Sequence, residues 1–200
     1  MEAIDLNFGM VMYSAEDDRL AERVREVVER AHSRGVAVEA EMAPLQGVAG
    51  ELASAPEVIP VTNPLHAEAF VEQTGIDALA VNVGQAHLHG REEVALNLSV
   101  LSELNNVVKV PMVLHGATSV RRTDLQAAIQ LGVRKINFGS ILKRTYFETL
   151  RRRMAGIGDG YNPYEVVGSG LKNDVLIQAR LALQKVVEDF MVLLGSAGRA

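Results

Sequence analysis

The amino-acid sequence predicts an α/β protein in which buried parallel strands alternate with amphipathic helices. Five short runs of mostly Val, Ile, Leu and Ala have the length and composition of strands that are covered on both faces. Segments with the 3.6-residue periodicity of helices separate these runs. The alternation of strand and helix favours a right-handed parallel α/β architecture.

The predicted strands are near-continuous apolar runs rather than the alternating runs of a sheet with one solvated face. They are MVMY at 10–13, VAVEAE at 36–41, ALAVNV at 78–83, PMVLH at 111–115 and KINF at 135–138. A closed (β/α)8 barrel needs eight strands and usually about 250 residues. The five strands of this sequence are therefore too few to close such a barrel.

The predicted helices begin and end at residues that commonly cap helices. Ser14 is the predicted N-cap of the first helix. Asn63 followed by Pro64 opens the second helix, and Gly75 ends it. Three further helical segments are EEVALNLSVLSELNN, RTDLQAAIQLG and SILKRTYFETLRRR. A last helix, about 173–194, has an apolar face that we expect to pack on the sheet or against a second subunit.

Composition limits the classes of function that the chain can have. Its 200 residues are 48% hydrophobic, and we expect a single domain over 1–200. No apolar run approaches the roughly 20 residues of a membrane span, so we expect no membrane association. The net charge is -5 and the basic residues form no single tract, which argues against a nucleic-acid partner. Cysteine is absent, which excludes disulfides and thiolate ligands and favours a cytoplasmic location.

Acidic and histidine side chains stand where predicted strands end, the edge at which parallel α/β proteins bind ligands. Glu39 and Glu41 are two residues apart in the second strand, so both carboxylates point to one face of the sheet. His87 and His115 follow the third and fourth strands, and neutral imidazole is a common zinc ligand. These residues outline a metal site.

Other interpretations of the same residues stay open at this level. A histidine at a strand end often has only a structural, hydrogen-bonded role. His89 could bind a metal in place of His87. The two carboxylates of the second strand could instead form ion pairs with Lys135 or Arg134 of another strand.

Two strand ends also have the small residues of anion-binding loops. The stretch GATS at 116–119 would let backbone N–H groups approach an anion. Gly139 and Ser140 open the next predicted helix, whose N-terminus favours negative charge. If the chain supplies the last five of eight strands, these loops follow strands seven and eight, where barrel enzymes commonly bind phosphate. Because small residues also begin helices simply as caps, a purely structural role is the alternative.

Four motifs together resemble one enzyme family. They are VEAE at 38–41, TGIDALAVNVGQAHLHG at 74–90, VPMVLHGATSV at 110–120 and LGVRKINFGSILK at 131–143. Their content and order closely resemble the class II, zinc-dependent ketose-bisphosphate aldolases, which include fructose- and tagatose-bisphosphate aldolases. The resemblance implies a (β/α)8 TIM barrel, of which this chain holds about the last five βα units, strands 4 to 8.

The resemblance also implies a function and a cofactor. In this family zinc (Zn2+) polarises the carbonyl group of a ketose or of dihydroxyacetone phosphate, and a ketose bisphosphate is cleaved reversibly to dihydroxyacetone phosphate and an aldehyde. His87 and His115 match two of the three zinc-binding histidines, and Glu41 matches a glutamate that can approach the metal. The residues implied to bind the substrate or its phosphate are Leu88, Gly116, Ala117, Thr118, Asn137, Phe138, Gly139 and Ser140.

The sequence departs from the family pattern in several places, and the absence of one motif bears most directly on catalysis. The Leu-Asp-His motif, which supplies the proton-shuttling aspartate and the remaining zinc histidine, does not occur in the 200 residues. No catalytic acid or base is therefore assigned. We expect strands one to three of the family to be missing here, through a late-placed start, a split gene or a short protein that dimerises through its open sheet edges.

Two functions follow as alternatives. The first is a class II aldolase, an aldehyde-lyase of carbohydrate metabolism such as glycolysis, that is active together with the missing N-terminal part. The second is a non-catalytic member of the family that binds a sugar phosphate or serves as a partner subunit. In either case we expect a homo-oligomer, a dimer or a tetramer.

Overall fold

The structure, a computed structural model, describes residues 8–11 as backbone and residues 19–42, 45, 56–57, 59–88 and 92–199 in full. The predicted cap Ser14, the predicted strand residues 12–13 and His89 lie outside the described residues. The chain forms two compact units, Met1–Asn137 and Phe138–Ala200. The expected single domain over 1–200 stays a prediction.

The first unit is built on a five-stranded parallel sheet whose strands follow one another in chain order. The strands are β1 Phe8–Val11, β2 Ala37–Glu41, β3 Ala78–Ala80, β4 Met112–Leu114 and β5 Val133–Ile136. Every neighbouring pair is parallel. The predicted parallel α/β architecture is confirmed.

Four helices connect the strands of this unit. They are α1 Leu20–His32, α2 Pro64–Thr74, α3 Leu98–Val107 and α4 Arg122–Gln130. The Asn63 side chain accepts hydrogen bonds from the backbone N–H groups of Leu65 and His66, and Gly75 ends α2 with a left-handed φ of 69°. The predicted boundaries of α2 are confirmed, because an Asx cap and a left-handed glycine satisfy the free backbone groups at its two ends.

The third helix begins later than the helical pattern predicts. The pattern starts at residue 92, whereas α3 starts at Leu98. The Asn97 side chain accepts a hydrogen bond from the Val100 N–H and so fixes the first turn there. Before it, Val94 forms a bridge with Val120. Tertiary pairing of the preceding segment overrides its helical periodicity.

The third strand is also shorter than predicted. The apolar run extends to residue 83, but β3 ends at Ala80. Beyond Ala80 the fully buried Gln85 side chain bonds to the backbone in place of a neighbouring strand. It accepts a hydrogen bond from the Val83 N–H at 2.8 Å and donates one to the Val81 carbonyl at 2.7 Å. A side chain thus satisfies backbone groups that a neighbouring strand would otherwise satisfy.

The two faces of the sheet differ in character. One face carries large buried apolar side chains, and α1 packs against β2 at this layer. Its strand residues are Val38, Ala40, Leu79, Met112 and Leu114, and the buried helix residues include Val24, Val28, Phe70, Leu101, Leu104 and Leu125. The opposite face combines small residues with charges: Glu39 pairs in register with Ala78, and Glu41 with Ala80.

A register shift continues this polar face into the last strand. Met112 pairs with Val133 while Val113 pairs with Lys135, so Arg134 is the extra residue of a bulge. Without the shift, the period-2 alternation of β5 would direct Lys135 to the helix-covered face. The bulge therefore places a cation on the same face as the two glutamates.

The second unit consists of helices. They are α5 Ser140–Met154, the short α6 Pro163–Val166 and α7 Val175–Leu193. Helices α5 and α7 pack together, and the rings of Phe138 and Phe190 stack with centroids 3.9 Å apart. Asp174 caps α7 by accepting from the Leu176 N–H. None of the described helices combines the length and apolar character needed to cross a bilayer.

One carboxylate ties α1 to the sheet. Asp77, in the turn before β3, accepts a hydrogen bond from the Val38 N–H at 2.7 Å and pairs with His32 Nε2 at 2.9 Å. Partial burial raises the pKa of Asp77, but the bonds from His32 and from Val38 lower it further, so the net pKa is lowered. The ionised form is therefore favoured in the folded chain.

We expect Asp77→Asn to lower the free energy of unfolding at pH 7 by about 1 kcal/mol, because a partly exposed charge-assisted pair contributes modestly. Since the pKa of Asp77 is lowered by folding, its contribution is complete above the unfolded pKa of about 3.9 and is lost as pH falls through the folded pKa. The difference between wild type and variant should shrink from about pH 5 toward pH 2. Urea unfolding followed by circular dichroism measures it.

Glu72→Gln is the matched control, because Glu72 is an exposed carboxylate on α2. We expect its effect to stay within about 0.5 kcal/mol at every pH. An Asp77→Asn chain as stable as wild type at pH 7 would contradict the assigned role.

Candidate functional site

Four polar side chains meet on the charged face of the sheet. Glu39 and Glu41 come from β2, His115 directly follows β4, and Lys135 lies in β5. His115 Nε2 lies 2.7 Å from Glu39 Oε1, and Lys135 Nζ lies 2.8 Å from Glu39 Oε2. The second imidazole nitrogen, Nδ1, lies 3.9 Å from Glu41 Oε2. Glu39 is thus the centre of the cluster.

The ion pair between Glu39 and Lys135 shows that the sheet is curved. Two strands, β3 and β4, separate β2 from β5, which in a flat sheet would place the two strands roughly 14 Å apart. A direct contact at 2.8 Å between their side chains requires the sheet to bend around this face. The polar cluster therefore lies on a concave surface.

Burial and charge act in opposite directions on the two glutamates. Burial raises the pKa of Glu39, but the hydrogen bonds and charges of His115 and Lys135 lower it, and the net pKa is lowered. Burial raises the pKa of Glu41, the charge of His115 lowers it and that of Glu39 raises it again, and the net pKa is raised. The charge of Glu39 is thus compensated by its partners. The charge of Glu41 is compensated less, and a cation beside it would offset the cost of ionising its carboxyl group.

The chemistry of these donors fits a zinc ion in part. Imidazole nitrogen and carboxylate oxygen are both zinc ligands, and two donors on one tetrahedral zinc are separated by roughly 3.4 Å. The 3.9 Å between His115 Nδ1 and Glu41 Oε2 is close to that separation. Within the part of the chain that the structure describes, no group of three or more His, Asp or Glu side chains is placed to hold a metal. The structure thus assembles a pair of donors.

The loop that carries His87 lies beside the loop that carries His115. A Cβ atom added to Gly116 would lie 3.5 Å from the Ala86 carbonyl oxygen, so the two backbones are in contact one residue from each histidine. His87 itself is partly exposed. Gln85 fixes the start of its loop through the two backbone hydrogen bonds described above. Sequence reasoning missed this buried glutamine, and no local pattern singles it out.

The predicted phosphate loop forms a tight turn. Gly116 has a left-handed φ of 65° and precedes a 3-10 turn at Ala117–Ser119. The Gly116 carbonyl accepts from the Ser119 N–H, and the Ala117 carbonyl accepts from the Val120 N–H. The added Cβ at Gly116 would also lie 2.5 Å from Leu45 Cδ2. Both the backbone conformation and the packing favour glycine here.

The remaining predicted substrate residues differ in what they can offer a ligand. The Leu88 side chain is fully buried, and the Leu88 N–H donates to the Ala86 carbonyl. The Asn137 N–H donates to the Leu114 carbonyl, which continues the pairing of β4 and β5 by one residue. Within the second unit, the Phe138 ring stacks on Phe190, and Gly139 precedes Ser140, the first residue of α5. The ligand roles of these residues stay predictions.

One of the alternatives drawn from the sequence is confirmed. Glu39 forms an ion pair with Lys135, which is the structural role that we considered for the carboxylates of the second strand. Arg134, the other cation named there, donates instead to the carbonyls of Ile129 and Val133. Glu41 takes no part in this ion pair. Of the two carboxylates of β2, Glu39 therefore has a structural partner, whereas Glu41 is available to a ligand.

Comparisons with known proteins agree with the motifs. The family model for fructose-bisphosphate aldolase class-II matches residues 1–199. A fructose-bisphosphate aldolase from Geobacillus stearothermophilus is 32% identical over 201 residues, which cover 99% of this chain and 66% of that protein.

Solved structures show the same relationship. The YdjI aldolase from Escherichia coli superposes with a TM-score of 0.72 at 28% identity, covering 97% of this chain and 62% of that one. A fructose-bisphosphate aldolase from Campylobacter jejuni has a TM-score of 0.70 over 94% of this chain and 59% of its own, and at 18% identity this shows likeness of fold alone. The chain spans less than two thirds of the length of each of these relatives.

We expect Gly116→Ala to destabilise the chain by about 2 kcal/mol, because alanine is strained at this φ and its methyl group would displace the buried Leu45 side chain. Thermal and urea unfolding measure the change. Gly35→Ala is the matched control, since Gly35 has a φ of 69° but open space around it. Gly35→Ala should lose only the free energy of unfolding that comes from the strained backbone of alanine, about 1 kcal/mol. Equal costs at the two positions would contradict the packing role of Gly116.

Proposed function

The chain belongs to the class-II fructose-bisphosphate aldolase family, and from this we propose that it is the zinc- and phosphate-binding part of an enzyme that reversibly cleaves a ketose bisphosphate to dihydroxyacetone phosphate and an aldehyde. The observation that carries the proposal is the polar cluster of His115 and Glu41 at the strand ends of a concave parallel sheet. Parallel α/β enzymes bind their substrates at this edge.

The proposed fold is strands 4 to 8 of a (β/α)8 barrel. Five parallel strands in chain order support it, because doubly wound sheets reverse their strand order at a switch point. The contact between Glu39 and Lys135 across two intervening strands supports the curvature that a barrel wall needs. The likeness to the aldolase crystal structures supports it further.

The proposed zinc ligands are His87, His115 and Glu41. Zinc, when bound, supplies a Lewis acid that polarises a carbonyl group of the substrate. The approach of His115 Nδ1 to Glu41 Oε2 supports two of the ligands, and the contact between Gly116 and the backbone of Ala86 supports the nearby His87. Burial of the pair would exclude bulk water from the charge that develops during cleavage.

The proposed phosphate contacts come from the turn after β4. The small residues Gly116, Ala117 and Thr118 would orient a substrate phosphate through their backbone N–H groups. The tight turn at 117–119 supports a fixed arrangement of these groups. Asn137, Phe138, Gly139, Ser140 and the backbone of Leu88 complete the predicted set. The proton-transfer group has no assignment in this chain, because the Asp-His pair of the family motif is absent from its sequence.

We further propose a cytoplasmic homo-oligomer. Large apolar side chains on the second unit are exposed, which supports burial of this surface in a subunit contact. Those on α7 include Leu181, Val187, Met191 and Val192. Size-exclusion chromatography with light scattering reports the subunit number directly.

Aldol cleavage of fructose- and tagatose-bisphosphate in the presence of zinc tests the function. We expect turnover from a chain extended upstream in its reading frame to include an Asp-His pair, and little turnover from the 200 residues alone, because the proton-transfer group is needed. Coupled detection of the triose products measures it. If the extended, folded and zinc-loaded chain cleaves neither sugar but binds dihydroxyacetone phosphate in calorimetry, the non-catalytic alternative holds.

The ligand assignment has its own test. We expect His115→Ala to weaken zinc binding by more than the 10–100-fold typical of losing an outer-shell partner, as measured by competition with a chelating dye. His66→Ala is the matched control, because His66 is an exposed histidine on α2. Circular dichroism establishes that both variants are folded. Unchanged zinc affinity in a folded His115→Ala chain would remove His115 from the ligand set.

A further inference from the structure

We infer that Glu39, held in place by Lys135, is a positioning residue that sets the orientation and tautomer of His115. In this arrangement Nε2 carries the proton and faces Glu39, while the lone pair of Nδ1 faces Glu41. The link to metal binding rests on the proposed function, whereas the hydrogen-bond arrangement stands on the cluster itself.

Burial of the Glu39 carboxylate costs free energy unless partners compensate its charge. Its side chain has no solvent exposure, and an uncompensated buried carboxylate costs several kcal/mol. Both oxygens are bonded, Oε1 to His115 and Oε2 to Lys135. An apolar residue would fill this sheet position at less electrostatic cost, so the carboxylate indicates a function beyond packing.

The hydrogen bonds of Glu39 decide which imidazole nitrogen carries the proton. A carboxylate paired with the Lys135 ammonium only accepts hydrogen bonds, so the 2.7 Å contact with His115 Nε2 requires an N–H at that nitrogen. In a neutral imidazole the other nitrogen is then an acceptor with a free lone pair. That nitrogen is Nδ1, which lies 3.9 Å from Glu41 Oε2.

Lys135 completes the arrangement by supplying the counter-charge. Its ammonium group lies 2.8 Å from Glu39 Oε2, so the buried carboxylate does not need a positive imidazole to balance it. The pair of Glu39 and Lys135 therefore orients the His115 ring with Nε2 toward Glu39 and Nδ1 toward Glu41, as outer-shell carboxylates orient zinc-bound histidines.

Glu41 faces Nδ1 of His115, and an ionised Glu41 has no proton to donate to that nitrogen. Glu41 Oε2 and the Nδ1 lone pair are then two acceptors facing each other, an arrangement that a shared cation satisfies. Glu39 and Glu41 are thus assigned different tasks although they share one strand and one face. Glu39 orients the histidine, and Glu41 is left to approach the metal.

Glu39→Gln in the full metal-free chain tests the inference. The Lys135 ammonium will bind the amide oxygen, which turns the amide NH2 group toward His115 and requires Nε2 to accept. We therefore expect Nitrogen-15 NMR of the histidine side chains to show the proton on Nε2 in wild type and on Nδ1 in Glu39→Gln. Zinc affinity, measured on the same samples with zinc sulfate and a competing chelator, should fall 10–100-fold.

Asp174→Asn is the matched control, because Asp174 is a buried carboxylate with backbone partners at the start of α7. It should leave both the His115 spectrum and the zinc affinity unchanged. If Glu39→Gln does not fold, Lys135→Met serves instead, since it alters a side chain that is 42% exposed. We expect Lys135→Met to weaken zinc binding by less than Glu39→Gln but measurably.

The outcomes separate this inference from the proposed function. An Nδ1–H tautomer in wild type, a spectrum unchanged in Glu39→Gln, or full zinc affinity in Lys135→Met would overturn the positioning role even if zinc binds. Conversely, the expected tautomer in a chain that binds no zinc would support the positioning of His115 and contradict the zinc site alone.

Discussion

The buried carboxylate of Glu39 is the constraint on which the polar face of the sheet depends. A charge without solvent exposure is tolerated only when both of its oxygens are bonded. The two partners are the residue directly after β4 and a residue of β5, so the bonds of one side chain of β2 link three strands. The curvature of the sheet and the orientation of His115 follow from the same requirement.

The residues around this carboxylate are arranged to leave room for it. Ala78, Ala80 and Val113 form a small buried cluster on the same face, and their short side chains let Lys135 reach across to Glu39. The opposite face has the larger apolar residues that the helices cover. Large apolar side chains and polar chemistry are thus divided between the two faces.

Hydrogen-bonded loops then carry the two candidate histidine ligands beyond the strands. Gln85 holds the backbone before His87 with two hydrogen bonds from a fully buried side chain. Gly116 allows the left-handed turn that brings the chain after His115 against the backbone of Ala86. Gln85, which has no ligand role in the proposed function, and the turn at Gly116 therefore help to position the candidate ligands, as a pre-organised site requires.

Much of the fold and part of the site could be predicted from the sequence by itself. Apolar runs and helical periodicity determine the parallel α/β architecture, and the Asn63 cap and Gly75 determine the ends of α2, because these signals act over a few residues. The family motifs identify the aldolase relationship, which the family match confirms. Local patterns do not predict that α3 starts at Leu98, since pairing between distant segments decides it.

Only the tertiary structure decided how the charged residues are partnered. The sequence placed Glu39 and Glu41 on one face but could not distinguish them, because both are carboxylates of one strand with apolar neighbours on either side. The distinction arises from Lys135, 96 residues away in the chain, which a bulge and the bending of the sheet bring to Glu39 and not to Glu41. Contacts of this range depend on register and curvature, which are properties of the assembled sheet and not of any segment in it.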